Sequence, residues 1–181
     1  MDGSEGWRGG WGVMEGSNSP PAGAVTLRDV VEDDIGTFHR HQSDPLSVEM
    51  AQVPARDEAS YRARWSRLLA DRTVGTRTVL VQGAVAGHVM SFDRDGVREL
   101  GYWLGREFWG QGIAGAAVQQ YLALEHQRPL FAIVAEHNAA SRRILNRCGF
   151  REVGRSGDVV RYGLSARHTQ GQAATRASVA R

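Results

Sequence analysis

Between residues 24 and 165 the apolar positions follow two periods, and the period predicts the element. Ala24–Arg28 reads as a short strand. Glu32-Asp33-Asp34 then open a helix to about His41, acids in its first turn suiting the helix dipole. Asp44-Pro45 breaks it. From about Asp57 to Asp71, Tyr61, Trp65, Leu68 and Leu69 recur at i, i+4, i+7 and i+8, one apolar face of a helix. Thr76–Gln82, Ala84–Phe92 and Val97–Leu104 are strand-like, joined at Gly83 and at Asp95-Gly96 as hairpins. A helix starts near Gly112 with the stripe Ile113, Ala117, Tyr121 and Leu124. Pro129–Ala135 is a short continuous apolar run, the pattern of a strand buried on both faces. Asn138–Arg147 is a helix, and Phe150–Val153 and Val159–Leu164 are strands about Ser156-Gly157-Asp158. The order β-α-α-β-β-β-α-β-α-β-β joins an antiparallel meander to an α/β crossover, an α+β (mixed α/β) fold.

The ends differ. Residues 1–23 hold seven glycines and Pro20-Pro21, too little apolar surface to offset the entropy of ordering, so a flexible leader is expected despite Trp7 and Trp11. Residues 166–181 lack an apolar period and read as a disordered tail. The 181 residues fit one domain, at 24–165. All 22 basic side chains are arginine against 20 carboxylates, a net charge of +2 with no basic run, so nucleic-acid binding ranks last. One cysteine, Cys148, excludes a disulfide scaffold and a multi-thiolate metal site. The six histidines have no metal spacing; His39 and His41 face different ways on a helix, and no metal is expected. No apolar run approaches the ~18 residues of a membrane span, and no secretory signal opens the chain. A cytoplasmic, bacterial protein with no membrane partner is the expectation.

The chemistry gathers at Trp109-Gly110-Gln111-Gly112-Ile113-Ala114-Gly115, between a strand and a helix. Glycines admit close backbone approach, and free amides at a helix start attract a pyrophosphate. Gly110, Gly112 and Gly115 also satisfy a dinucleotide fingerprint. That reading fails on context: Gly105–Trp109 separate the glycines from their strand, about a hundred residues precede them, and too few follow. A second motif settles the matter. Asn138-Ala-Ala-Ser141 through Gly149-Phe150, with Gly101-Tyr102-Trp103-Leu104 and Phe108–Ala114, closely resembles the GNAT superfamily of acetyl-CoA-dependent N-acetyltransferases. The match is nearest the ribosomal-protein N-terminal alanine acetyltransferase branch. It covers about residues 24–165, with the specific motifs in 99–150.

The resemblance implies a twisted mixed sheet of about seven strands flanked by four helices, splayed between the strand ending at Leu104 and that at Pro129–Ala135. It implies that acetyl-CoA is the co-substrate. The amides of Gln111, Gly112, Ile113, Ala114 and Gly115 would bind its pyrophosphate. Backbone at Trp103 and Leu104 would bond the pantetheine arm. Asn138 would face the arm, Ser141 would sit near the sulfur, and Arg142 or Arg143, with Arg147 a further candidate, would reach a phosphate. Many members carry a tyrosine as general acid where this chain has Leu145, which leaves Ser141 as the expected hydroxyl for the leaving thiolate. A homodimer is a further partner that it suggests. Plainer readings accompany several residues: Asn138 also suits an N-cap, Gly149 a left-handed helix end, Trp103 and Trp109 a pocket wall, and Cys148 a buried thiol. His88, on a central strand, is a base or a core histidine, the second favoured.

The expected reaction is direct attack of a primary amine (a protein N-terminal α-amine or a small-molecule amine) on the thioester in a ternary complex. Glu99 is the candidate base, directly or through a water relay, and an N–H near Leu104 the oxyanion donor. The helices carrying Asp44 and Glu49 would wall the acceptor pocket. The alternative is a silent acyl-CoA sensor.

Overall fold

The structure is a computed structural model that describes residues 25–166. The expected leader (1–23), residue 24 and all of the expected tail but residue 166 lie outside those residues. Seven strands form one sheet in the order β1-β2-β3-β4-β5-β7-β6. They are β1 (Val25–Arg28), β2 (Gly75–Val81), β3 (Ala84–Arg94), β4 (Val97–Leu104), β5 (Leu130–Ala135), β6 (Arg151–Ser156) and β7 (Val159–Leu164). Among the described residues five helices accompany them rather than four: α1 (Asp34–Ser43), α2 (Pro45–Ala51), α3 (Glu58–Ala70), α4 (Ile113–Leu122) and α5 (Ala139–Arg147), with one 3-10 turn at Arg106–Phe108. The addition is α2. Asp44-Pro45 ends one helix and starts the next: the Asp44 carboxylate accepts from Ser47 N at 2.9 Å and Pro45 takes the first turn, where its missing N–H costs nothing.

Strand alternation sends side chains to two layers. Leu100 and Leu104 of β4, Leu130, Ala132 and Val134 of β5, and Val160 and Tyr162 of β7 meet Ile113, Ala117, Val118 and Tyr121 of α4 and Leu145 of α5 in the larger core. On the other face Ile35 and Phe38 of α1 pack with Tyr61 and Trp65 of α3. His88 lies here, its ring centroid 4.8 Å from Phe38 and 4.9 Å from Trp65. It is a core histidine; burial, then the charges of His41 and Arg64, push its pKa down to about 3. Helix α1 is pinned through buried Asp34, which receives Arg28 at 2.6 and 2.7 Å and the Thr78 hydroxyl at 2.6 Å. Burial alone would raise that carboxyl's pKa; the Arg28, Thr78 and Val31 hydrogen bonds outweigh it and hold it low.

Two expectations about apolar runs change. Strand β5 is buried on one face only: Ile133 is exposed, and Phe131 is half-buried beneath the Arg161 guanidinium at 4.2 Å. Leu124 lies past the end of α4 and is exposed, as is Leu69 on α3.

The feature that shapes the site is the middle of the sheet. Strands β1 to β4 pair through antiparallel ladders, and so do β5, β7 and β6. The two halves join through one parallel pair, Glu99↔Phe131. Beyond it β4 runs on through Gly101–Leu104 with no strand paired on its β5 side among the described residues.

Candidate active site

The gap between β4 and β5 is the floor of a cleft of about 560 Å³. One wall is β4 with the loop after it; the other is α5; the N-terminus of α4 closes one end and α2 leans over the other. Helix α4 starts at Gly112, which has φ +75°, and neither a capping side chain nor an acidic residue satisfies its first turn. Its first intrahelical bond of this turn is Ala116 N to Gly112 O, so the amides of Ile113, Ala114 and Gly115 stay free of partners within the helix. A Cβ at Gly110 or Gly115 would meet no protein atom within 4 Å. Gly110 is explained by its φ of +73°, and Gly115 leaves room against the cleft. Buried partners fix the far end of α4: Ser91 Oγ lies 2.6 Å from Tyr121 Oη, and Arg98 reaches Glu125 at 2.7 Å.

Of the expected residues, Trp103, Leu104, Gly112, Ile113, Ala114, Gly115, Asn138, Ser141 and Arg143 all line this cleft. Gln111 does not; its amide turns back to donate to Glu107 O at 2.7 Å. Arg142 is also elsewhere. Its Nε donates to Tyr162 Oη at 3.2 Å and its Nη2 lies 3.7 Å from Glu152, while Arg143 and Arg147 stand on the cleft wall. Glu99 is buried at the junction pair, 3.4 Å from Arg94 Nη1, and is not on the cleft wall. The Trp103 indole crosses to the α1 side and donates to His41 O at 3.1 Å. Gly105 N donates to Ala86 O of β3 at 2.9 Å. Alternation along β4 therefore turns the Leu104 N–H away from β3 and toward the gap. The Leu104 carbonyl already accepts from the Trp109 indole at 3.1 Å.

Asn138 has two partners. Its Oδ1 accepts from Ser141 N at 3.0 Å, capping α5, and its Nδ2 donates to Met50 O at the end of α2, also at 3.0 Å. Beside it His137 Nε2 meets Glu49 O at 3.2 Å. These bonds, with Ser47, Met50 and Ala51 on the wall, bring the α2 that sequence patterning missed to the rim of the cleft. Glu49 is exposed and Asp44 half-buried, 3.8 Å from Arg106, and neither lines it. Leu145 is completely buried. Cys148 is half-buried with its Sγ 3.9 Å from Gly115 O, and burial raises its pKa.

The arrangement suits a long ligand that is anionic at one end and hydrogen-bonds like a strand along its middle. Free amides and two arginines stand at one end of the cleft, and an unpaired stretch of β4 among the described residues runs along its middle. Residues 24–151 match the family model of the acetyltransferase (GNAT) domain. The chain belongs to the GNAT acetyltransferase family. It is 30% identical over 126 residues to the putative ribosomal N-acetyltransferase YdaF of Bacillus subtilis (strain 168), which covers 60% of this chain and 68% of that protein. Two solved structures share the GNAT fold at 18% identity. RimL, a ribosomal L7/L12 α-N-protein acetyltransferase in complex with coenzyme A, has a TM-score of 0.66 over 79% of this chain and 94% of its own. Spermidine N-acetyltransferase from Vibrio cholerae, in complex with CoA and spermine, has a TM-score of 0.68 over 78% and 95%. The protein is thus a GNAT N-acetyltransferase. Among the described residues no group of histidines, cysteines and carboxylates is placed to hold a metal ion, and no helix is long and apolar enough to cross a membrane.

Proposed function

We propose that the protein transfers the acetyl group of acetyl-CoA to the α-amine of a peptide or protein N-terminus, by direct attack in a ternary complex within the β4–β5 cleft. The observation that carries the acceptor class is the charge of the wall: its ionised side chains are Arg143 and Arg147, with no Asp or Glu among the described lining residues. A polyamine or an aminoglycoside needs carboxylates to hold several positive charges in a desolvated cleft. A single α-amine does not. Its pKa of about 8 leaves roughly a tenth of it neutral at pH 7, against less than a thousandth of a lysine amine near 10.4.

In this reading the amides of Gly112 to Gly115, with Gln111 at the loop's edge, bind the pyrophosphate, and Arg143 and Arg147 meet phosphate charge. The open edge of β4 at Tyr102 and Leu104 bonds the pantetheine arm beside Asn138, while the Trp103 N–H and C=O face β3 at the pair with His88. The Leu104 N–H holds the developing oxyanion, and Ser141 stands by the sulfur. Glu99 accepts the amine proton through a water relay, since its carboxylate is held back beside Arg94.

Thiol release from acetyl-CoA, followed with peptides bearing a free α-amine, spermine and an aminoglycoside, tests the acceptor. Peptides should give the highest kcat/KM, and an N-terminally blocked peptide none. A preference for spermine or the aminoglycoside overturns the reading. Binding of CoA with no turnover on any amine would instead indicate a sensor.

A further inference from the structure

Breaking a thioester leaves an electron pair on sulfur, and a desolvated cleft must offer that charge a donor. Four side chains on the wall carry a hydroxyl or thiol: Ser47, Tyr102, Ser141 and Cys148. Cys148 sits by Gly115, at the end where α4 begins. Ser47 Oγ is buried in α2 with no partner. Tyr102 is placed differently. It leaves β4 on the α4–α5 face, packs against the large core, and crosses to the first turn of α5, where its hydroxyl donates to the Ser141 carbonyl at 3.5 Å. It is three residues past the Glu99↔Phe131 junction, about 10 Å along the strand, where β4 already lacks a neighbour. Ser141 is therefore not the only hydroxyl at that point of the cleft.

We propose that Tyr102 is a catalytic residue whose phenol donates a hydrogen bond to the thioester sulfur as the carbon–sulfur bond breaks. Three features support this. The bond to Ser141 O is at the outer limit of hydrogen-bond length, so the hydroxyl hydrogen has no strong competing acceptor. The gap-facing N–H of Leu104 lies two residues further along the same strand, so one rigid element serves both the carbonyl oxygen and the sulfur. Leu145, in the next turn of α5, offers only carbon.

The electron and proton accounting is simple. The amine nitrogen attacks the carbonyl carbon, the C–N bond forms, and the C–S pair departs on sulfur. The amine sheds one proton to the base, and the thiolate gains one from solvent. Burial raises the phenol to about 12, above a thiol near 8.5, so Tyr102 keeps its proton and acts as a donor throughout. The inference rests on acetyl transfer in this cleft, but its decisive measurement needs no acceptor.

Free CoA is the probe. Its thiol ionisation, followed by ultraviolet thiolate absorbance, is compared on wild type and Tyr102→Phe, which keeps the ring. The bound thiol should ionise about one pH unit higher on the variant, the tenfold loss expected of one hydrogen bond to a charged acceptor. CoA affinity should stay within about twofold, and kcat should fall roughly 10- to 100-fold with KM for acetyl-CoA little changed. A bound thiol that ionises at the same pH on both proteins overturns the assignment, and so does a variant with wild-type kcat. Wild type that binds CoA and acetylates no amine overturns the proposed reaction instead, and the titration still decides whether the phenol faces sulfur.

Discussion

Arg142 and Arg143 are adjacent on α5, yet one is spent on Tyr162 and Glu152 and the other lines the cleft. Arg143→Ala should weaken CoA binding by roughly tenfold, the scale of one charge-assisted contact, whereas Arg142→Ala should leave it near wild type. Isothermal titration with CoA separates the two. Spacing along the chain could not, because neighbours on a helix diverge by about 100° and only the packing of α5 on β7 says which faces the gap. The same limit hid Tyr102. A tyrosine between Gly101 and Trp103 reads as an ordinary strand residue, and what sets it apart is its reach across the splay to Ser141. The places of Gly112 at the start of α4 and of Ser141 one turn after the Asn138 cap are legible in the sequence because both geometries are local. Steric demand marks Gly105 as well: a Cβ there would lie 2.6 Å from His41 Nε2 and 2.8 Å from Glu107 Oε2. Gly105→Ala should lower Tm in a thermal melt and displace the loop that leads to α4, weakening CoA binding although the residue touches none of the cleft.

Periodicity and turn residues mark the seven strands and four of the helices along the chain, and the helix they do not mark is α2. Helix α2 has seven residues and little stripe; Pro45 reads as a stop unless the Asp44 cap before it is recognised as a start. The omission matters because α2 closes the rim through Asn138. Asn138→Asp keeps an acceptor for Ser141 N and suits the α5 dipole, but it loses the donor to Met50 O. Asn138→Ala loses both, and the cap alone is worth ~1 kcal/mol. Hydrogen exchange should therefore show α2 amides opening faster in both variants. Melting should show a clear loss of stability in the alanine variant only. Equal behaviour in the two would mean that the Met50 bond does not restrain α2. The open face of β5 has a related origin: an apolar run gives hydrophobicity but not which faces are covered, and Ile133 is left exposed.

Across the whole molecule, buried His88 ties stability to pH. Its pKa lies near 3 in the folded chain and near 6.5 when unfolded, so between these values the unfolded state binds the extra proton. Its effect is absent above about pH 6.5; stability then falls as pH drops toward 3, by at most ~1.4 kcal/mol per pH unit from this group. Urea unfolding from pH 7.5 to 4.5 should show that slope. His88→Leu, which fits between Phe38 and Trp65 without a titrating ring, should flatten it. A slope unchanged by the substitution would assign the acid sensitivity to other groups.

The single rung between Glu99 and Phe131 has a mechanical meaning. Two half-sheets joined at one pair form a torsion joint, stiff along each ladder and soft across it. A pantetheine arm lying against β4 would act as a removable stave that braces both halves. Substrate then becomes part of the load path, and its departure loosens the frame that must release the product. At a hundredfold excess over Kd, CoA should raise stability by ~2.7 kcal/mol, a Tm shift of roughly 5–10 °C. The added protection against exchange should be greatest in β4 and β5, on either side of the joint.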